Sequence, residues 1–88
     1  MSPELETLDQ LLGGDMSVSA IVAIYPSPDD CRSGLLGLLA AGDVRLLTPE
    51  RLEAAEYEWR ALFSQQDWIQ ALNDYRLSIT QEGTSKIE

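Results

Sequence analysis

Residues 27–47, SPDDCRSGLLGLLAAGDVRLL, decide how the rest of the chain is read. The Ser27 hydroxyl can satisfy free backbone N–H groups at a helix start, and Pro28 presets φ for the first helical position. Asp29 and Asp30 meet the positive end of the helix. Cys31, Leu35, Leu38 and Leu39 then fall on one face at about 100° per residue. Gly42 is placed for a left-handed C-cap, and 43–47 continues as a short strand with Val44 and Leu46 on one side. The stretch predicts a capped helix, a glycine stop and a strand, in that order.

Upstream, Ser2-Pro3-Glu4 follows the same capping logic. Leu5, Leu8, Leu11 and Leu12 come at helical spacing before Gly13-Gly14 stops the helix. Between these helices, residues 15–26 fit two templates. Val18, Ile21, Val22 and Tyr25 suit a helix face capped by Ser17. Val18, Ala20, Val22 and Ile24 equally suit an alternating strand, which the β-branched content favours. The helix is the preferred reading, and Pro26 ends either element.

Downstream, Thr48-Pro49-Glu50 reads as another helix start, with Leu52, Ala55, Trp59, Leu62 and Phe63 as the apolar stripe and Glu56 able to pair with Arg60. Ser64 and Asp67 both suit the cap of a short last helix holding Trp68, Ile69 and Leu72. Asn73-Asp74 is a turn, and the alternation of Tyr75, Leu77 and Ile79 predicts a strand over 75–80. Glu82-Gly83 turns the chain again, and 84–88 is expected to fray.

Helix, short helix, Pro-capped helix, the strand Gly-Asp-Val-Arg-Leu-Leu and later Tyr-Arg-Leu-Ser-Ile-Thr-Gln-Glu-Gly give an order that resembles the winged-helix superfamily over residues 3–47 and 74–83. There, the third helix ends in a similar small-residue-plus-glycine stop, and the closing strand runs into a Thr-x-x-Gly turn like Thr80–Gly83. The resemblance implies one α+β domain over 1–88, with three N-terminal helices and a two-stranded antiparallel ribbon formed by 43–47 and 75–80. It also puts residues 28–41 in the recognition position. One departure is large. A wing joins its strands by a short loop, whereas about 48–73 inserts one or two helices here. Closing so long a loop is tolerable because its entropic cost grows only logarithmically. The wing tip, which often touches DNA in the superfamily, becomes a helical arm carrying Trp59 and Trp68.

Composition narrows the function. Eighty-eight residues make one domain near the lower end of independent stability, so dimerisation is a fair expectation. An apolar share of 44% argues against disorder. Fifteen acids against six bases give a net charge of −9, and there is no histidine. Glu4, Glu6, Asp9, Asp15, Asp29 and Asp30 face Arg32 alone in the first half, and the second half is acidic too. Nucleic-acid backbones are bound by clustered Lys and Arg, so the long-range field disfavours DNA and anionic membranes alike. Cys31 is the single cysteine, which excludes an internal disulfide and allows a reducing compartment. The apolar run 16–25 is too short to span a bilayer and lacks a basic leader, so the expected location is the cytoplasm.

On a wheel centred on Cys31, the residues of 28–41 that face away are Asp29, Asp30, Ser33, Gly37 and Ala40. DNA-reading helices place Arg, Lys, Asn or Gln there. Ser33, Gly37 and Ala41 lie four apart with Gly34 beside them, a smooth strip that another helix can approach closely. Two helical glycines cost roughly 1 kcal/mol each relative to alanine and call for a packing reason. Either the helix expected at 49–63 lies on this strip, or a second copy or partner protein does. Trp59 and Trp68, nine residues apart, fall near opposite sides of a single unbroken helix. That geometry leaves one of them a candidate interface anchor.

Chemistry is sparse. Without histidine and with one cysteine on an apolar face, neither a catalytic triad nor a zinc site can be assembled. Glu50, Glu53, Glu56 and Glu58 lack calcium-loop spacing, and Gly13-Gly14 is no phosphate loop. No cofactor or metal is expected. The first reading is a non-enzymatic protein–protein interaction or dimerisation module contacting its partner, or a second copy, through Ser33, Gly37, Ala41 and one tryptophan. A second is a winged-helix transcriptional regulator using Arg32, Arg45 and Arg76 on phosphates. A third is an acidic inhibitor or immunity-type protein that mimics nucleic acid with its carboxylates.

Overall fold

The computed structural model describes residues 2–88. In chain order its elements are α1 (Pro3–Leu11), β1 (Met16–Ser17), α2 (Val18–Val22), α3 (Pro28–Ala41), β2 (Val44–Leu47), α4 (Glu56–Phe63), α5 (Trp68–Ala71), β3 (Arg76–Ile79) and α6 (Gln81–Ile87). The fold is α+β.

The deciding stretch forms as its residues dictate. Ser27 Oγ accepts the Asp30 amide at 3.1 Å, Pro28 opens α3, and Gly42 ends it in the left-handed region at φ +79°. The Gly42 amide donates to the Leu39 carbonyl and the Asp43 amide reaches back to the Leu38 carbonyl at 2.9 Å, closing the helix end. Cys31 and Leu35 are fully buried, with Leu38 and Leu39 close behind. α1 follows the same logic, with Ser2 Oγ accepting the Leu5 amide at 3.2 Å.

The ambiguous residues 15–26 serve both templates in turn. Met16 and Ser17 are extended and pair antiparallel with Leu77 and Arg76. Ser17 then caps α2 by accepting the Ala20 amide at 3.3 Å, and Val18 and Ile21 turn into the core. The sheet is therefore three-stranded, in the order β1-β3-β2, and not the two-stranded ribbon expected. Two residues carry no periodicity, so only pairing with β3 identifies β1 as a strand.

β2 and β3 pair antiparallel in the register Val44–Ile79, Arg45–Ser78, Leu46–Leu77 and Leu47–Arg76. Val44, Leu46 and Leu77 point into the core, while Arg45 and Arg76 are exposed on the other side of the sheet.

The helix expected from Pro49 is absent over its first half. Thr48-Pro49-Glu50-Arg51 is instead a tight turn, in which the Arg51 amide donates to the Thr48 carbonyl at 2.8 Å and Arg51 adopts φ +68°. The chain doubles back: the Thr48 amide bonds the Leu52 carbonyl, and the Ala54 amide bonds the Leu46 carbonyl, both at 2.8 Å. A Thr-Pro pair suits the first two positions of a turn as well as a helix start. Here the turn prevails because it satisfies the outer edge of β2. Leu52 and Ala55, read as part of the apolar stripe, are exposed as a result. α4 starts only at Glu56, with Trp59 and Phe63 buried and Glu56 bonded to Arg60 at 2.7 Å. Neither Ser64 nor Asp67 caps α5 through its side chain.

Residues 82–88, expected to turn and then fray, instead lie in a helix as far as Ile87. Thr80 Oγ1 accepts the Gly83 amide at 3.2 Å and caps α6, which packs beside α1.

Candidate functional site on the outward face of the third helix

The core side of α3 is fully accounted for. Gly34 is glycine because the Tyr25 ring lies against it: a Cβ there would sit 2.7 Å from Tyr25 Cε2. The Tyr25 hydroxyl in turn shares a 3.3 Å hydrogen bond with the buried Thr7. Desolvation by burial raises the Tyr25 phenol to about 12, outweighing the lowering effect of the Thr7 bond. Burial likewise pushes the Cys31 thiol up to about 12. Both groups stay protonated and uncharged through the neutral range, so this side is packing.

The outward side is different. Asp29, Asp30, Ser33, Gly37, Ala40 and Ala41 are all exposed. A Cβ built on Gly37 meets nothing within 4 Å. α4 therefore does not lie on the strip, contrary to one of the two expectations for residues 49–63. The turn at Thr48–Arg51 uses up the residues that would have extended α4, and its buried face goes to the core through Trp59 and Phe63. The strip is a surface of two carboxylates followed by small side chains, with no donor-rich residue in its middle.

The three arginines of the nucleic-acid reading do not share one location. Arg32 lies near the start of α3, where its guanidinium donates to Asp29 at 3.2 Å and to the Phe63 carbonyl at 3.5 Å. Arg45 and Arg76 stand diagonally across neighbouring strands, on the solvent side of the sheet. About 14 Å of helix separates the Arg32 backbone from the end of α3 that leads into β2. Arg45 faces Glu53 at 3.9 Å, and Arg76 donates to the Asp15 carbonyl at 2.8 Å. A concavity of about 480 Å³ opens beside Arg32, lined also by Asp29, Gln66, Asp67 and Gln70. The cation at its rim is already partnered.

Neither Trp59 nor Trp68 stands exposed. They are 6% and 3% exposed, the first beneath the Arg60 guanidinium at 4.8 Å and the second stacked on Phe63 with ring centroids 5.4 Å apart. The expectation that one stands free assumed an unbroken helix. The break at 64–67 lets both rings turn inward.

Asp43 is a polar group that helix and strand periodicity do not announce. It is 2% exposed, its Oδ2 accepts Lys86 Nζ at 2.6 Å, and its Oδ1 has no hydrogen-bond partner among the described residues. One sequence signal did point to it. An acid immediately after a helix C-terminus opposes the helix dipole and calls for a cation elsewhere in the chain.

Among the described residues, no helix is long and apolar enough to cross a membrane. The chain matches no protein-family model, and no curated protein or solved structure is significantly similar to it.

Proposed function

We propose that this chain is a winged-helix-like domain, non-enzymatic and cytoplasmic, that works as a protein–protein interaction or dimerisation module through the outward face of α3. The order α1-β1-α2-α3-β2-β3, with the strands arranged β1-β3-β2, supports the winged-helix part of this reading. The single observation that carries the functional part is Gly37. A glycine inside a fourteen-residue helix costs stability, and no neighbour among the described residues repays it. Flanked by Ser33, Ala40 and Ala41, it lets a second helix approach the α3 backbone closely.

Arg45 and Arg76, diagonal to each other on the solvent side of the sheet, favour the nucleic-acid reading. The neutralised Arg32, the acidic end of α3 and the net charge of −9 weigh against it.

Sedimentation of the intact protein from micromolar to millimolar concentration separates the readings. A reversible dimer that dissociates in Gly37→Leu, with the thermal midpoint of the dilute monomer no lower than that of the wild type, is the expected outcome for self-association. A chain that stays monomeric throughout refutes the dimer and leaves a heterologous helix as the partner. Salt-sensitive retardation of a duplex, abolished in the Arg45→Ala/Arg76→Ala variant, would replace the proposal with the regulator reading.

A further inference from the structure

Residues 81–87 have little reason to be helical alone. Seven residues fall far short of the roughly 12–15 that an isolated helix needs, and Gly83, Thr84 and Ser85 are weak helix formers. α6 packs beside α1 with Ile87 against the core, and its long-range hydrogen bonds, with those of its cap Thr80, converge on the junction between α3 and β2. The Thr80 amide donates to the Asp43 carbonyl at 3.0 Å, and the Thr80 hydroxyl donates to the Gly42 carbonyl. Gly83 lies so close that a Cβ would sit 2.2 Å from the Asp43 carbonyl oxygen. Lys86, the only lysine in the chain, supplies the cation for the Asp43 carboxylate.

The energetics of that carboxylate are unbalanced. A buried carboxylate is costly unless paired and fully hydrogen-bonded, and Asp43 Oδ1 has no partner. Its counter-ion is half-exposed and comes from the last helix. When α6 lifts away, the ion pair is lost, but water reaches both carboxylate oxygens and completes what the closed state leaves unmade. Hydration of Asp43 therefore offsets much of the lost pair. Among the described residues, no hydrogen bond joins Lys86 to the β2–β3 ladder or to the interior face of α3.

We propose that α6 is a releasable strap, clasped over the α3–β2 junction by the Lys86–Asp43 pair, that opens as a unit while the rest of the domain stays folded. Opening exposes the Asp43 carboxylate and the flank of α1 against which α6 packs. The strap does not depend on the function assigned to the outward face of α3.

Native-state hydrogen exchange on the full chain, resolved by residue, tests this. In the wild type, the amides of 84–87 are expected to exchange well ahead of those of 44–47 and 76–79, with almost no dependence on low denaturant, since local openings span the range from near zero to the global value. Lys86→Gln should accelerate exchange in α6 by about tenfold, the worth of a pair with one half-exposed partner, and change the ladder far less. Lys86→Arg should keep the wild-type pattern. Exchange of α6 at the same rate and denaturant dependence as the β2–β3 ladder in the wild type would overturn the proposal. So would uniform acceleration of all amides in Lys86→Gln.

Discussion

Two glycines three residues apart in α3 should respond oppositely to the same substitution. Gly37 is exposed, helical and without a neighbour within 4 Å of a Cβ. Gly37→Ala should therefore add about 0.5–1 kcal/mol of stability, the intrinsic helix preference of alanine, with no steric cost. Taking about 2.1 cal/mol/K of unfolding entropy per residue, that gain raises the midpoint of this domain by roughly 3–5 °C. At Gly34 the same methyl meets Tyr25 at 2.7–3.0 Å, on a ring that is 7% exposed and hydrogen-bonded to Thr7. Overpacking of about 1–3 kcal/mol outweighs the propensity gain there, leaving a net loss of about 1 kcal/mol. Urea and thermal unfolding at micromolar concentration give both values, and the slope with denaturant should stay constant. A Gly37→Ala variant less stable than wild type would refute the reasoning, because it requires that something already fills the space above Gly37. Repeating the measurement at high concentration adds a second reading. If the face binds another copy, wild-type stability rises with concentration, and the variant loses part of that rise.

Other outcomes follow from single features. Arg51 holds a left-handed conformation that glycine adopts without penalty, so Arg51→Gly should stabilise by about 1 kcal/mol in the same unfolding assay; a loss would mean that the Arg51 side chain anchors the turn. Cys31 is buried, and its thiol is raised from the ordinary 9.0 to about 12, so it should resist thiol reagents at neutral pH until the chain unfolds. The same shift sets the alkaline limb. Below about pH 9 the thiol is protonated in both states and its contribution is complete; above it the unfolded chain ionises first, and stability falls through about pH 12, with Tyr25 adding to the loss above about pH 10. Stability that is flat from pH 8 to pH 11 would contradict this. Trp59 and Trp68 should both emit at short wavelength and resist acrylamide, and a readily quenched component would show that one ring stands free.

Local chemistry was legible where it acts within a few residues. Ser2, Ser17 and Ser27 are caps because a hydroxyl three residues before a free amide needs no distant partner. The buried face of α3 was legible for the same reason, since Cys31, Leu35, Leu38 and Leu39 define it by spacing alone. Three elements were not. Thr48-Pro49-Glu50 suits both a helix start and a turn, and the choice is made by the Leu46 carbonyl, which takes the Ala54 amide. Met16-Ser17 is a strand only because β3 lies beside it. α6 exists because Asp43, forty-three residues before Lys86 in the chain, draws it down. Each is settled by a non-local bond that periodicity cannot register.

The candidate site shows the same division. A helical wheel identified which residues of α3 face away from the core, and those residues are exposed. A wheel contains no other element, so it could not say whether α4 covers them. It set Trp59 and Trp68 on opposite sides only for an unbroken helix, and the break at 64–67 lets both rings reach the core. The physical content of the site therefore rests on the difference between two glycines that the sequence presents as equivalent. Gly34 is explained by Tyr25 and needs no partner. Gly37 is explained by nothing among the described residues, and the stability it costs is retained on a face of small side chains and carboxylates. A position of that kind on the helix that holds the recognition place in the proposed fold is suited to receive another helix. It offers a base edge no donor to bond.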